Sequence, residues 1–182
     1  MKKRRIALIS TGGTVEKTYD ELGGVLHNSF SVLDIMLASL LLEGIEIIRV
    51  PLMNKDSLAM TDVDHTLIAN TVGSMCAAHD GVVVVHGTDR LASSGDRIVE
   101  VLGTPDVPVV LTGAMRPYML RNSDAQQNVT EALLAVQILD AGVYCVIHNK
   151  VLSFPGVRKD YDRGTFHRIR DSDVTEPQVP DS

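Results

Sequence analysis

The sequence is poor in several residue types, and each shortage excludes a class of protein. It contains no tryptophan, only two cysteines, and 4% aromatic residues over 182 positions. Cys76 and Cys145 lie far apart and form no CxxC pair, so neither a disulfide-stapled scaffold nor a zinc site is indicated. We expect both to be small buried thiols in a reducing compartment, and therefore predict a cytoplasmic protein without a metal.

Positive charge and long apolar runs are also scarce. Lysine and arginine number 17 against 23 acidic residues, for a formal charge of −6, whereas nucleic-acid-binding domains carry a basic surface. The basic run at residues 2–5 is local and typical of a solvated terminus. No apolar run approaches the about 18 residues of a membrane span, and the run at residues 6–10 is too short for a secretory signal. We expect binding to neither nucleic acid nor a membrane.

The sequence does contain apolar β-branched runs that alternate with helical patterns. Five runs are predicted to be strands: Ile6–Ser10, Ile45–Val50, Val82–Val85, Val107–Leu111 and Val143–Ile147. Four segments are predicted to be helices: Ser31–Glu43, Thr61–Ala78, Arg90–Leu102 and Ser123–Leu139. The second strand contains Glu46 and Arg49 and is expected near a sheet edge, and the fourth is expected to begin just after Pro108.

This alternation predicts an α/β fold. Strands and helices that follow one another in one domain form a doubly wound, mostly parallel sheet with helices on both faces, of Rossmann or flavodoxin type. The length favours a single domain, which we place at residues 1–170. The remaining residues, 171–182, are acidic and aperiodic, and are expected to be a disordered tail.

Each predicted strand ends in residues that can bind or react. The first is followed by Thr11-Gly12-Gly13-Thr14, the third by His86-Gly87-Thr88-Asp89 and the fourth by Thr112-Gly113-Ala114, while Ser57 follows the second and Lys159 the fifth. The carboxyl ends of parallel strands meet at one edge of a sheet, where ligands of doubly wound folds bind. The convergence of these five loops predicts a functional site.

A nucleotide site is one interpretation of the glycine loop at residues 11–14. The loop does not match GxGxxG, no GxxxxGK[ST] occurs, and a tight turn alone would explain two glycines. Asp89 favours another ligand, since a carboxylate repels phosphate but pairs with the ammonium of an amino acid. Hydroxyls need a base or cation to become nucleophiles, which Lys159 could supply to Thr14 or Thr88. Together with an oxyanion site from backbone N–H groups, these residues indicate acyl transfer or hydrolysis at a small carbonyl group.

Five segments together resemble the bacterial L-asparaginase family of threonine-nucleophile amidohydrolases. They occur in the family's order and spacing: STGGTVEK, HGTD, PVVLTGAMRP, SDAQQN and a lysine after VLSFPGVR. Each segment alone would be weak evidence. The combination is specific, and the resemblance covers residues 6–166.

The resemblance implies roles for individual residues. The implied catalytic residues are Thr14, Tyr19, Thr88, Asp89 and Lys159. The implied substrate-binding residues are Ser57, Asp89, Gly13, Gly87 and Ala114. Thr14 would be the nucleophile and Tyr19 its activator on a flexible loop. Ser57 and backbone N–H groups would hold the substrate α-carboxylate, and Asp89 would meet the α-ammonium.

The reaction implied by the resemblance is hydrolysis of L-asparagine. Thr14 would attack the side-chain amide, ammonia would leave, and water would release L-aspartate without any cofactor. Residues 16–29 would form a lid hinged at Gly23-Gly24 that excludes water. The resemblance further implies a homo-oligomer.

The sequence departs from the family pattern in three places. Family members usually carry a second, smaller domain, so we expect a short single-domain branch, with a trimmed N-terminal domain as the alternative. Arg90 stands where the family commonly has threonine. It is expected to open a helix and point outwards, or else to compete for Asp89. Third, the loop after the first strand is compact, since Tyr19 follows only five positions after Thr14.

Several further residues are expected to be structural, and the function keeps three competing interpretations. His86 is expected to anchor its turn, and Arg116 and Arg121 to fix the loop after the fourth strand. The first competing interpretation is glutamine as a substrate, because one methylene is worth only about 1–3 kcal/mol of discrimination. The second is a non-catalytic amino-acid-binding module, and the third is the ammonia-releasing component of an amidotransferase.

Overall fold

The computed structural model describes residues 3–13, 15 and 32–169, together with the backbone of residues 18–20 and 25–27. Its strands are β1 Arg4–Ser10, β2 Thr18–Asp20, β3 Val25–His27, β4 Ile45–Pro51, β5 Gly81–Val85, β6 Pro108–Thr112, β7 Gly142–Ile147, β8 Lys150–Ser153, β9 Val157–Asp160 and β10 Thr165–Arg168. Its helices are α1 Val32–Ala38, α2 Asp62–Cys76, α3 Leu91–Leu102 and α4 Ala125–Ile138.

Six strands form the central sheet in the order β4-β1-β5-β6-β7-β8. The first five are parallel, and β8 runs antiparallel to β7. The prediction of a doubly wound, mostly parallel sheet is confirmed, as is the edge position of the second predicted strand, β4. The chain order reverses between β1 and β5, and such a switch point is where this class of sheet binds ligands.

Helices cover both faces of the sheet. Alternate residues of a strand point to opposite faces, so Ala7 and Ile9 of β1 pack with the buried residues of α2 and α3. Ile6 and Leu8 instead pack with α1 and α4. All five residues of β5 and all five of β6 are buried, which explains their continuous apolar sequence. Among the described residues, no helix is long and apolar enough to cross a membrane.

Several predicted boundaries are shifted by one or more residues, and the structure explains two of these shifts. The first helix was expected to run to Glu43 but ends at Ala38, because the chain tightens there into hydrogen bonds from the N–H of Ser39 to Met36 O and of Leu40 to Leu37 O. The Ser39 hydroxyl also donates to Met36 O at 2.6 Å, in competition with a further helical turn. Strand β6 begins at Pro108 itself, where a missing N–H costs little because Pro108 is the first residue of the strand.

Strands β8, β9 and β10 were not predicted, and they carry the chain back over α3. β9 pairs with β10 in an antiparallel hairpin. A Cβ at Gly95 of α3 would lie 2.1 Å from the Phe154 ring, so the bare backbone there lets the ring pack closely. The Asp96 carboxylate accepts hydrogen bonds from Gly156 N at 3.2 Å and Arg158 Nη1 at 2.7 Å. These contacts fix β9 against α3.

A polar cluster fixes the loops after β6 and β7. We call its members Asp124, His148, Lys150 and Thr165 the anchoring cluster. Asp124 Oδ2 lies 2.8 Å from His148 Nε2, and His148 Nδ1 lies 3.1 Å from Thr165 Oγ1. Lys150 Nζ donates to Thr165 Oγ1 at 3.2 Å and to the Phe166 carbonyl at 3.1 Å.

The Asp124 carboxylate is saturated by further donors. It accepts from Met115 N at 3.0 Å, Arg116 N at 2.9 Å and Asn128 Nδ2 at 2.8 Å. Burial alone would raise its pKa, but the hydrogen bonds from Met115, His148 and Arg116 outweigh burial and hold the pKa of Asp124 below its ordinary value.

Candidate active site

The glycine loops after β1 and β5 meet at the switch point in backbone contact. Gly12 and Gly13 have φ values of 92° and 90°, a conformation that side chains with a Cβ rarely adopt. A Cβ at Gly13 would lie 2.6 Å from Gly87 Cα and N. Thr11 holds the first loop in place, since its N–H and its hydroxyl donate to Val85 O at 3.1 and 3.2 Å. Two loops distant in sequence thus form one surface.

Ser57 lies against the same glycines from a third direction. It begins a short 3-10 turn whose preceding residue, Asp56, accepts a hydrogen bond from Leu58 N at 3.0 Å. A Cβ at Gly87 would lie 2.6 Å from Ser57 Oγ. The Ser57 side chain is 1% exposed, and its hydroxyl has no hydrogen-bond partner among the described residues. Such a buried, unpartnered donor is suited to a ligand.

Thr88, Asp89 and Lys159 form what we call the site cluster. Lys159 Nζ donates to Thr88 Oγ1 at 2.8 Å and to Asp89 Oδ1 at 2.7 Å, although the lysine lies 71 positions beyond Thr88. The side chains of Lys159 and Asp89 are 13% and 29% exposed, so the ion pair is only partly screened by water. A hydroxyl, an ammonium and a carboxylate in this arrangement can share and move protons.

The site cluster borders an open cleft. A cavity of about 380 Å³ is lined by residues that include Asp89, Ser93, Lys159 and Tyr161. The Tyr161 ring centroid lies 4.8 Å from Lys159 Nζ, which is a cation–π distance. No motif in the sequence marks Tyr161, and its place two residues after Lys159 is the signal that could have suggested it.

The turn that carries Thr88 is held from behind by a buried histidine. His86 is 0% exposed, and its Nδ1 lies 2.7 Å from Gly87 O. Burial lowers the pKa of His86 to about 4, so the ring is neutral at pH 7. The prediction that His86 anchors the turn agrees with these contacts. Arg90 immediately precedes α3 and is exposed, as expected for a residue that points outwards.

The loop after β6 also reaches the turn. A Cβ at Gly113 would lie 2.3 Å from His86 O and 3.2 Å from Thr88 Cγ2. Ala114, predicted to contact the substrate, is fully buried with residues on the α1 and α4 face of the sheet. Arg116 Nη1 donates to Asn122 O at 3.1 Å, as expected for a residue that fixes this loop.

Two predicted catalytic residues lie wholly or partly outside the described residues. Thr14 is outside them, although its neighbours Gly13 and Val15 are buried beside the switch point. Tyr19 lies on β2, whose backbone pairs antiparallel with β3. Of the predicted lid at 16–29, this strand pair is described, and the hinge Gly23-Gly24 lies outside the described residues.

The chain is similar to known proteins in both sequence and fold. The family model "Asparaginase, N-terminal" matches residues 5–171. The L-asparaginase of Thermococcus kodakarensis is 31% identical over 174 residues, which are 93% of this chain and 52% of that protein. A solved structure of the thermostable L-asparaginase from Thermococcus kodakarensis has a TM-score of 0.82 at 30% identity, over 91% of this chain and 51% of that one. The chain belongs to the asparaginase family.

Further relatives widen the range of functions found with this domain. A probable cytoplasmic L-asparaginase from Campylobacter jejuni has a TM-score of 0.77 at 28% identity, over 91% of this chain and 52% of that one. A glutamyl-tRNA(Gln) amidotransferase subunit from Haloquadratum walsbyi is 37% identical over 148 residues, which are 79% of this chain and 33% of that protein. The chain spans about half the length of the L-asparaginases it matches.

Proposed function

We propose that this chain hydrolyses L-asparagine to L-aspartate and ammonia through a threonyl acyl-enzyme. The observation that carries this proposal is the pair of hydrogen bonds from Lys159 Nζ to Thr88 Oγ1 and Asp89 Oδ1, at 2.8 and 2.7 Å, beside the glycine loops at the switch point. A purely binding site would need the carboxylate but not the hydroxyl and the lysine. Catalysis needs all three.

The substrate would be held by both of its α-substituents. Ser57 Oγ, which has no partner among the described residues, and the backbone N–H groups of Gly13 and Gly87 would hold the α-carboxylate. Asp89 uses Oδ1 for Lys159, and its Oδ2 would accept from the α-ammonium. Held at both ends, the substrate would direct its side-chain amide across the glycine loops toward Ala114.

Two steps would then complete the reaction. In the first, Thr14 Oγ bonds to the amide carbon while the Thr88 hydroxyl, held by Lys159, accepts the Thr14 proton and passes its own proton to the amide nitrogen. The C–N bond then breaks and ammonia leaves. In the second, a water molecule attacks the acyl ester, the Thr88 hydroxyl relays one water proton to Thr14 Oγ as the ester bond breaks, and aspartate and Thr14 are released. Tyr19 would assist the first proton transfer, and backbone N–H groups would stabilise the oxyanion.

The direct test is ammonia release from L-asparagine and L-glutamine, measured for the purified chain and for Thr14→Ala. Hydroxylamine added to the reaction should yield the aspartyl hydroxamate, because it competes with water for an acyl-enzyme. Thr130→Val, which alters an exposed hydroxyl on α4, is the matched control. Ammonia release that survives Thr14→Ala would overturn the threonyl mechanism.

A second function is favoured by the amidotransferase relatives. A glutamyl-tRNA(Gln) amidotransferase subunit from Thermoplasma acidophilum is 32% identical over 71% of this chain, so the chain could release ammonia within a larger complex. In that case the isolated chain should be nearly inactive, and it should copurify with a partner that restores activity. A folded chain that binds L-asparagine by calorimetry but remains inactive with its partners would be a binding module.

Assembly and location complete the proposal. We place the protein in the cytoplasm, since the Campylobacter relative is described as a probable cytoplasmic enzyme and both cysteines are free thiols. We propose a homo-oligomer with no metal or organic cofactor. Light scattering would give the mass in solution, and activity that is unchanged after chelation would support the absence of a metal.

A further inference from the structure

A chain of hydrogen bonds lies behind the site, inside the protein. His65 Nδ1 lies 2.7 Å from Ser94 Oγ, and Ser94 Oγ lies 2.7 Å from His86 Nε2. His86 Nδ1 lies 2.7 Å from Gly87 O. The exposed fractions of His65, Ser94 and His86 are 2%, 0% and 0%. The two imidazole rings are nearly parallel, at 14° with 6.4 Å between their centroids.

The chemistry of each atom fixes the direction of this chain. Gly87 O can only accept, so His86 Nδ1 carries the hydrogen, and Nε2 of the neutral ring is an acceptor. Ser94 must therefore donate its single hydrogen to His86 Nε2. Its oxygen then accepts from His65 Nδ1–H. Each donor in the series from His65 to Gly87 faces one acceptor, with no proton missing or in excess.

The environment keeps both rings neutral. Burial is the main cause that lowers the pKa of His65. Arg90, which precedes α3, and Arg97 on α3 lower it further, while Asp62 and Asp64 on α2 act in the opposite direction. His65 Nε2 is buried and has no hydrogen-bond partner among the described residues. A second proton there would have no acceptor in that part of the chain, which favours the single tautomer with hydrogen on Nδ1.

The far end of the chain reaches the site itself. Gly87 is in backbone contact with Gly13 and close to Ser57 Oγ, and the next residue is Thr88. A hydrogen bond to Gly87 O limits rotation of the Gly87–Thr88 peptide, and this peptide sets the direction of the Thr88 hydroxyl. Because His65 lies on α2 and Ser94 on α3, the chain connects two helices to the turn.

We propose that His65, Ser94 and His86 are positioning residues that hold the Gly87–Thr88 peptide in its reactive orientation. They touch no reacting atom and act through the peptide. The proposal rests on the hydrolase function proposed above and adds to it a specific set of residues on the helices behind the sheet. Catalytic rates fall steeply when a reacting group is displaced, by about 100-fold for a displacement near 1 Å.

Ser94→Ala tests the centre of the chain, because it removes both hydrogen bonds with little loss of volume. We expect kcat for L-asparagine to fall about tenfold or more, while KM changes by less than about threefold because Ser57 and Asp89 are intact. Ser74→Ala, a serine on α2 whose hydroxyl donates to Asn70 O, is the matched control and should keep wild-type kinetics. A folded Ser94→Ala enzyme with kcat within twofold of wild type would overturn the proposal.

Two substitutions at His65 test the proposal even if Ser94→Ala does not fold. His65→Asn keeps an N–H donor near the position of Nδ1, whereas His65→Leu removes it. We expect the asparagine variant to recover most of the kcat lost in the leucine variant. Equal kcat values for the two folded variants would show that the donor is irrelevant. His79→Leu, at the opposite end of the α2 region, controls for the loss of a partly buried ring.

Nuclear magnetic resonance separates this proposal from the proposed activity. Long-range proton–nitrogen spectra of histidine-labelled protein should show neutral Nδ1–H tautomers for His65 and His86 at pH 7, and Ser94→Ala should shift the amide signals of Gly87 and Thr88. An Nε2–H tautomer or a charged ring would overturn the proposal. If the wild-type chain releases no ammonia, the proposed function fails, while these spectra still decide whether the hydrogen-bonded chain exists.

Discussion

The site cluster and the anchoring cluster are built from nearly the same residue types. Each has a threonine hydroxyl that accepts from a lysine, Thr88 from Lys159 at 2.8 Å and Thr165 from Lys150 at 3.2 Å. Each also contains an aspartate bound to a basic side chain. Both lie near the carboxyl edge of the sheet. Residue type alone therefore cannot tell which cluster is suited to chemistry.

The two aspartates differ in how fully they are bound. Asp124 accepts hydrogen bonds from two backbone N–H groups, one amide and one imidazole. Among the described residues, the hydrogen bond found at the Asp89 carboxylate is the one from Lys159 to Oδ1. A saturated carboxylate can hold loops but has no capacity left for a ligand, whereas Asp89 keeps one oxygen available beside an open cleft.

The strongest test of this contrast compares the two threonines. Thr88→Val should lower kcat/KM for L-asparagine about 1,000-fold or more, because it removes a hydroxyl that takes part in proton transfer. Thr165→Val should leave kcat/KM within about threefold, since Thr165 is 8% exposed and bonded within the anchoring cluster. Steady-state ammonia release with circular dichroism on both variants provides the measurement. Comparable losses of activity would break the contrast.

Substitution of the two lysines should show the same contrast between the clusters, with a smaller effect on activity. Lys159→Met should reduce kcat about 100-fold, within the range of general acid–base catalysis, while its similar volume preserves packing. Lys150→Met should keep activity and lower the free energy of unfolding by about 1 kcal/mol, because two hydrogen bonds are lost. Steady-state kinetics and urea unfolding of both variants are the measurements that test this expectation. An inactive but stable Lys150→Met protein would contradict the assignment.

The aspartates should differ in their effect on stability and on its pH dependence. Asp124→Asn should lower the free energy of unfolding by about 2 kcal/mol at pH 7, because an amide cannot accept from every donor that Asp124 binds. Since folding lowers the pKa of Asp124, its contribution is complete above the unfolded-state pKa of about 4. That contribution is lost as the pH falls through the lower folded-state pKa.

Urea unfolding between pH 7 and pH 3 measures this effect. The wild-type chain should lose stability more steeply below pH 4 than Asp124→Asn, so the two curves should converge in acid. Asp89→Asn, a change at an acid with a single described side-chain partner, should destabilise the fold less and should abolish activity. Parallel curves for wild type and Asp124→Asn would show that the carboxylate is not the stabilising form.

The smallest expected effect is at His148. This residue has a φ of 52°, a left-handed conformation that asparagine tolerates well. His148→Asn should therefore cost about 1 kcal/mol for the lost ring hydrogen bonds, with unchanged kcat, whereas His148→Ala should cost more because alanine is strained there. Thermal unfolding of the two variants and of the wild-type chain measures these costs. Equal costs would indicate that backbone conformation plays no part.

Much of the fold could be predicted because its signals are local. The apolar runs of β1, β5, β6 and β7 show where strands are buried on both faces, and the alternation with helices predicts the parallel sheet. The signal for the start of α2 is also local, because Thr61 directly precedes the helix and its N–H donates to Asp64 Oδ2 at 2.7 Å. The boundary errors at Ala38 and Pro108 arose where single side chains or a missing N–H decided the end of an element.

The antiparallel strands after β7 could not be predicted in the same way. β8, β9 and β10 have four residues each, and such short runs are poorly distinguished from loops by periodicity. Their position depends on the Gly95–Phe154 contact and the Asp96 hydrogen bonds, which join residues about 60 positions apart. Lys159 could be selected as a candidate from its motif, but its position on β9 could not be predicted.

By itself, the sequence determined the alternation of the five parallel strands with the four helices, the glycine loops at the switch point, and the residue types available there. These properties follow from side-chain periodicity and backbone sterics, which act over a few residues. Tertiary structure alone decided that Lys159 bonds Thr88 and Asp89, that Asp124 is saturated, and that His65 and Ser94 form a chain to Gly87. Those outcomes depend on distances between residues far apart in the sequence, and only the packing of helices and hairpins against the sheet sets such distances.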